Sequence, residues 1–140
     1  MREEFYVGGF FYNPKTGSVL LHKRDDKTKF NPNKWAFFGG LSEKDETPMQ
    51  TFKREIKEEL NVDILENQIK PLYDWFSEKS QRHRYLFFVE SYLEKTQMRL
   101  GEGADFGWVP LNKVFTYDLS ENTVKDLKVF MEKIVNGEDS

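Results

Sequence analysis

The sequence predicts an α+β domain, and three observations predict it. Two segments carry helical periodicity with capping signals, several Phe-, Tyr- and Val-rich runs read as strands around them, and no repeat, low-complexity tract or linker divides the chain. One domain over residues 1–140 is expected, long enough to bury a sizeable core.

Each element has a local reason. Glu4 to Asn13 is rich in Phe, Tyr and Val and reads as a first strand; Asn13 to Gly17 carries Asn-Pro and Gly turn signals, and Val19 to Lys23 resumes as a second strand. Asp25 to Lys34 is a polar loop, and Trp35 to Phe38 a short apolar run ending in Gly39-Gly40. The best helix follows: Thr47 suits the N-cap, Pro48 the first helical position, and Gln50 completes a capping box. Met49, Phe52, Ile56 and Leu60 form its apolar stripe, and Asn61 sits where a left-handed residue ends a helix. Ile69 to Phe76 and Arg84 to Tyr92 read as strands joined by the polar turn Ser77 to Gln81. Leu93 to Ala104 is a loop with two glycines, Asp105 to Val109 a strand stopped by Pro110, and Ser120 caps a last helix through about Val135 with the stripe Val124, Leu127, Met131 and Ile134. Asn136 to Ser140 is expected to fray.

Composition narrows function. There is no cysteine, which removes disulfides, thiolate metal sites and a Cys nucleophile. A net charge of -3 supplies no global attraction to a polynucleotide or an anionic membrane, so a long nucleic-acid partner is not favoured. The start MREEFYVGG places acids where a signal peptide has a basic region, and the longest apolar run, Tyr85 to Val89, cannot span a bilayer. A cytoplasmic location with no membrane partner is the resulting expectation.

The informative segment runs from Gly40 to Val62. On a helix, Glu55, Glu58 and Glu59 lie within an arc of roughly 100°. Like charges at such spacings repel, so something must offset them. A hard divalent cation such as Mg²⁺ or Mn²⁺ favours oxygen donors of this kind. A solvated acidic face, with Arg54 pairing to Glu58 and Lys53 and Lys57 nearby, is the ordinary alternative.

The spacing decides between them. The segment resembles the Nudix box, G-x5-E-x7-R-E-U-x-E-E-x-G-U with U aliphatic: Gly40, then Glu46, then Arg54-Glu55-Ile56-Lys57-Glu58-Glu59-Leu60-Asn61-Val62. Only Asn61 departs, standing where the family has Gly, and Asn tolerates left-handed geometry. Such a match arises by chance in on the order of one chain in a million at average residue frequencies. VLLHKR at 19–24, WAFFGG at 35–40 (with Phe38 in place of the usual Pro) and LGEGADFGWVPLNKV at 100–114 resemble the family's flanking segments.

The resemblance implies an α/β/α sandwich with a central mixed sheet, and a MutT-like hydrolase that splits a diphosphate linkage in a nucleoside diphosphate linked to another moiety or in a (deoxy)nucleoside triphosphate. It implies that Glu55, Glu58 and Glu59 bind Mg²⁺ or Mn²⁺ with help from the Gly40 carbonyl, and that Arg54 and Glu46 hold the box carboxylates in place. Glu102, between Gly101 and Gly103, is a candidate metal ligand or general base, and Glu55 the other candidate base; a solvated loop acid is the plain alternative for Glu102. Substrate candidates are Arg24, Phe37, Arg84 and Asn122, each with an ordinary surface or core reading beside it. Among other aromatics, Phe5, Tyr6, Phe38, Phe76 and Trp108 suit either base stacking or the core. The competing function is a Nudix-fold sensor that binds a nucleotide without cleaving it, disfavoured by the complete set of box acids. The partner is a small phosphorylated molecule; monomer and homodimer are equally open.

Overall fold

Strand β1 (Tyr6–Asn13) is apolar on both faces, and residues 7–12 are all buried, as expected of a strand covered on two sides. The computed structural model describes residues 3–29, 32–101 and 103–136. A turn with Gly17 at φ 65° leads into β2 (Ser18–Lys23). Then come β3 (Trp35–Ala36), β4 (Phe38–Leu41), helix α1 (Pro48–Leu60), the hairpin β5 (Lys70–Ser77) and β6 (Arg82–Glu90), β7 (Asp105–Pro110) and helix α2 (Glu121–Phe130).

These strands form one mixed sheet. β1 runs parallel to β6, and among the described strands the other strand-to-strand pairings are antiparallel. Alternation along β1 sends Val7 and Phe11 to one face, where Phe52, Ile56 and Leu60 of α1 cover them. Phe10 and Tyr12 face the other side and meet Leu127 and Phe130 of α2. Two cores back to back against one sheet make the expected three-layer α/β/α sandwich. Among the described residues no helix is long and apolar enough to cross a membrane.

The segment expected as one apolar run at 35–38 is two strands with different partners. β2 pairs with β1 only near their shared turn, at Leu20↔Phe11 through Ser18↔Asn13. Beyond that the two strands part: β2 takes up β3 at His22↔Ala36, and β1 takes up β4 from Gly9↔Phe38 to Tyr6↔Leu41. The chain crosses this fork at Phe37, whose carbonyl accepts a hydrogen bond from His22 Nε2 at 2.9 Å. The buried His22 thus satisfies a carbonyl left out of both ladders.

The last helix also differs from expectation. It is α-helical only to Phe130, and Met131–Val135 form a π-helical turn in which Asn136 N–H reaches the Met131 carbonyl. Its buried face is Thr123, Asp126, Leu127 and Phe130, so the expected stripe lacked Thr123, Asp126 and Phe130. The end of the expected frayed tail, residues 137–140, lies outside the described residues.

Candidate active site

Helix α1 is fixed at both ends by local chemistry. Thr47 accepts the Gln50 N–H at 3.2 Å while the Gln50 side chain accepts the Thr47 N–H at 2.9 Å, and Pro48 opens the first turn. Asn61 closes it in the left-handed region at φ 57°, ψ 38°. Burial of Phe52, Ile56 and Leu60 then sets the rotation of the helix, and that rotation turns the adjacent carboxylates toward β4. The Glu59 carboxylate, 9% exposed, accepts the Gly39 N–H at 2.9 Å. Gly39 has φ 151°, and a Cβ there would run into the Val7 carbonyl. Glu55 lies so close over Gly40 that an added Cβ would sit 2.6 Å from its Oε1. Glu58 is the most open of the three, with its side chain 56% exposed.

Arg54 answers the repulsion among these acids. Its Nε donates to Glu46 at 2.8 Å, Nη2 to Glu46 at 3.1 Å and to the Leu41 carbonyl at 3.0 Å, and Nη1 to Glu55 at 2.9 Å. Contacts to Glu58 are longer, at 3.3 Å, and Glu43 adds an ion pair at 3.2 Å. The Arg54 hydrogen bonds hold the Glu46 carboxyl down at about 2, with further help from the Glu43 backbone and the Thr51 hydroxyl. Reciprocally, the hydrogen bonds that Arg54 donates to Glu46 raise its own pKa. Arg54 is therefore tied more tightly to Glu46 and Glu55 than to its i+4 neighbour Glu58.

The donor set suits a hard cation. Glu55, Glu58 and Glu59 offer carboxylate oxygen alone, without sulfur or imidazole, the preference of Mg²⁺ and Mn²⁺. Among the described residues no three acidic or histidine side chains converge into a ligand cluster. Glu55 instead engages Arg54, and Glu59 engages Gly39.

A row of paired residues leads away from the box across the α2 face of the sheet. Leu41 of β4 lies opposite Tyr6 of β1, Tyr6 opposite Arg84 of β6, and Arg84 opposite Trp75 of β5. The Arg84 guanidinium stands 4.2 Å from the Tyr6 ring centre and 5.4 Å from that of Trp75. Beneath it the fully buried Asp126 accepts from Tyr73 Oη at 2.6 Å, Trp75 Nε1 at 3.2 Å and Arg84 Nη2 at 3.5 Å. Burial raises the Asp126 pKa against these partners, and burial, then the Asp126 bond, raises that of Tyr73. Burial also raises the Tyr6 pKa, with Arg84 opposing the shift and Glu59 and Asp126 adding to it.

A family model described as the NUDIX domain matches residues 4–134. The chain belongs to the Nudix hydrolase family. Among curated relatives it is 29% identical over 135 residues to dihydroneopterin triphosphate diphosphatase of Haemophilus influenzae, covering 86% of this chain and 82% of that one. It is 26% identical over 126 residues to nucleoside triphosphatase NudI of Escherichia coli, covering 81% and 87%. In fold it resembles a MutT structure from work on Aliivibrio salmonicida and Vibrio cholerae, with TM-score 0.76 and 21% identity over 94% of this chain and 99% of that one. The Escherichia coli ORF135 protein follows at TM-score 0.74 and 23% identity, over 95% and 91%.

The remaining expected Nudix site residues divide. Arg24 is half-buried, donates to Thr28 at 2.9 Å and acts electrostatically on Tyr6. Asn122 is half-buried in the first turn of α2, one helical turn before Asp126 and on the same face. Phe37 is not beside them at the surface; it is 5% exposed, its ring centre 4.7 Å from that of Phe10 in the α2-side core. Glu102 lies outside the described residues. On its flanks, Arg99 and Gly101 donate to the Leu60 and Glu59 carbonyls at 2.9 and 2.7 Å, satisfying the C-terminal turn of α1. A Cβ on Gly101 would strike the Glu58 carbonyl, so glycine there permits the close approach.

Tyr73, Trp75 and Asp126 were missed from the sequence. Asp126 left a signal: it falls between Thr123 and Phe130 on the buried stripe, where an acid needs a partner. Tyr73 and Trp75 left none, because their common contact lies more than 50 residues away.

Proposed function

We propose that this Nudix protein is a metal-dependent hydrolase that cleaves a diphosphate linkage in a small nucleotide-like substrate, either a nucleoside diphosphate linked to another moiety or a (deoxy)nucleoside triphosphate. The observation that carries this reading is the packing of Glu55 and Glu59 against Gly40 and Gly39, with Glu58 open beside them. Glu55, Glu58 and Glu59, the Gly40 carbonyl and Glu102 would hold Mg²⁺ or Mn²⁺. Such an ion neutralises phosphate charge, polarises the phosphorus–oxygen bond and eases ionisation of water.

The chain's own residues do the rest. Arg54 fixes the Glu55 carboxylate and is itself fixed by Glu46, so the box acids are oriented before substrate arrives. Water adds to phosphorus, the anhydride P–O bond breaks, and Glu55 or Glu102 takes the water proton. Arg24, Arg84 and Asn122 are the candidates for contacting the remainder of the substrate, with Phe37 supporting them from the core. Relatives named for dihydroneopterin triphosphate and nucleoside triphosphates put triphosphates first among compounds to test. Incubation with Mg²⁺ and a panel of nucleoside triphosphates and nucleoside diphosphate conjugates should release phosphate, pyrophosphate or nucleoside monophosphate. No turnover of any member, with either Mg²⁺ or Mn²⁺, contradicts the reading and favours a sensor.

A further inference from the structure

His22 carries a buried acceptor that lacks a donor. The residue is 6% exposed, and its Nδ1 meets no hydrogen-bond partner. Its Nε2 lies 2.9 Å from the Phe37 carbonyl, which can only accept, so Nε2 bears the ring proton. Burial holds the His22 pKa down at about 4, which keeps the ring neutral in ordinary buffer and leaves Nδ1 as a bare lone pair. The ring is not free to turn toward a donor, because the Phe37 bond fixes one edge and Phe38 stacks on its face at 4.8 Å. An unfilled acceptor held this way is costly.

A donor in the same condition lies beside it. Gly101 N–H donates to the Glu59 carbonyl of α1 at 2.7 Å, and Ala104 N–H to the Lys23 carbonyl of β2 at 2.8 Å. Among the described residues nothing accepts the Gly103 N–H between them. Gly103 lies against the imidazole: a Cβ there would stand 3.3 Å from Nδ1 and 2.9 Å from the Lys23 carbonyl. With φ at 104° the position favours glycine, whose backbone turns at little steric cost.

We propose that Gly103 N–H and His22 Nδ1 pair as a latch, which makes His22 a positioning residue for the box acids. A rotation of the glycine backbone directs the N–H onto the lone pair, and both groups are then satisfied. From the latch to the box is a short step. Gly101 approaches the last turn of α1 so closely that a Cβ on it would strike the Glu58 carbonyl, while its N–H holds that of Glu59. The chain at 101–104 therefore supports the turn from which two of the three box acids project, and the latch fixes that support to β2. The effect on rate rests on the hydrolase reading; the latch itself does not.

Two variants separate the roles of the ring nitrogens. Glutamine places its amide where Nε2 stands, so His22→Gln keeps the Phe37 bond and loses the latch. Asparagine places its carbonyl where Nδ1 stands, so His22→Asn does the reverse. By nuclear magnetic resonance without substrate, the Gly103 amide of the wild type is expected to exchange with solvent on the order of ten-fold more slowly than that of His22→Gln. His22→Asn should lie close to the wild type. With Mg²⁺ and a nucleoside triphosphate, kcat of His22→Gln should fall about ten-fold at nearly constant KM, and His22→Asn should keep the larger share of the rate. A residue that merely held the Phe37 carbonyl would give the opposite order. Equal Gly103 exchange in the wild type and His22→Gln overturns the proposal, whether or not the asparagine variant folds. The expected exchange pattern without turnover of any triphosphate contradicts the hydrolase reading alone, and turnover with an unprotected Gly103 amide contradicts the latch alone.

Discussion

The Glu59 carboxylate accepts the Gly39 backbone N–H at 2.9 Å, joining the acidic helix to the strand at the fork of the sheet. One side chain thus ties the helix of the Nudix box to the glycine that immediately precedes the box, 20 residues away. Because Glu59 is 9% exposed while Glu58 is open, the two acids should respond differently in stability but alike in activity.

Glu58→Gln and Glu59→Gln are each expected to lower kcat by orders of magnitude while the far-UV spectrum stays native. A glutamine at 59 still offers a carbonyl oxygen to Gly39, so the fold survives. Steady-state kinetics with circular dichroism checks both halves; full activity in both variants removes these acids from the chemistry.

Arg54→Met should cost about 2 kcal/mol of stability, because Glu46 and Glu55 lose charge-assisted hydrogen bonds at partly buried positions. The rate should fall roughly 10- to 100-fold through misplacement of Glu55. Urea unfolding and initial rates measure the two effects separately. An unchanged rate in a folded variant would reduce Arg54 to a surface pair.

Much of this arrangement is legible in the sequence because its causes are local. Thr47, Pro48, Gln50 and Asn61 mark the ends of α1 within a few residues of the atoms they satisfy, and the spacing from Gly40 to Val62 carries the box. The division of residues 35–41 into β3 and β4 is different. It depends on where β1 and β2 part, a non-local pairing that no short window contains. Likewise the sequence offers Arg84 only as a substrate candidate, and nothing near it in the chain announces Tyr6, Trp75 and Asp126 as its surroundings.

Gly40→Ala tests whether Glu55 must lie where it does. The backbone at Gly40 is not in the positive-φ region, so alanine is tolerated there, but its Cβ would sit 2.6 Å from Glu55 Oε1. Stability should change little, and kcat should drop on the order of a hundred-fold as the carboxylate is displaced. Equal kcat in the variant would mean that Glu55 can move freely without loss.

His22 should make the fold acid-sensitive. Burial lowers its pKa from 6.5 to about 4 in the folded protein. The unfolded chain therefore binds the extra proton first as pH falls. Stability is full above pH 6.5 and is lost progressively toward pH 4, by about 3 kcal/mol at that point. His22→Gln, which keeps a donor for the Phe37 carbonyl, should flatten this limb. Urea midpoints from pH 7 to pH 4 for both proteins decide it, and identical slopes would place the acid sensitivity elsewhere.

The most direct test is titration of Mn²⁺ into the wild-type protein and Glu59→Gln, followed by electron paramagnetic resonance with a non-hydrolysable nucleoside triphosphate analogue present. A saturable Mn²⁺ site that is lost or greatly weakened in the variant is the predicted result. No protein-dependent loss of the free-ion signal, or equal Mn²⁺ binding in both proteins, would contradict the assignment of the box carboxylates to a catalytic cation.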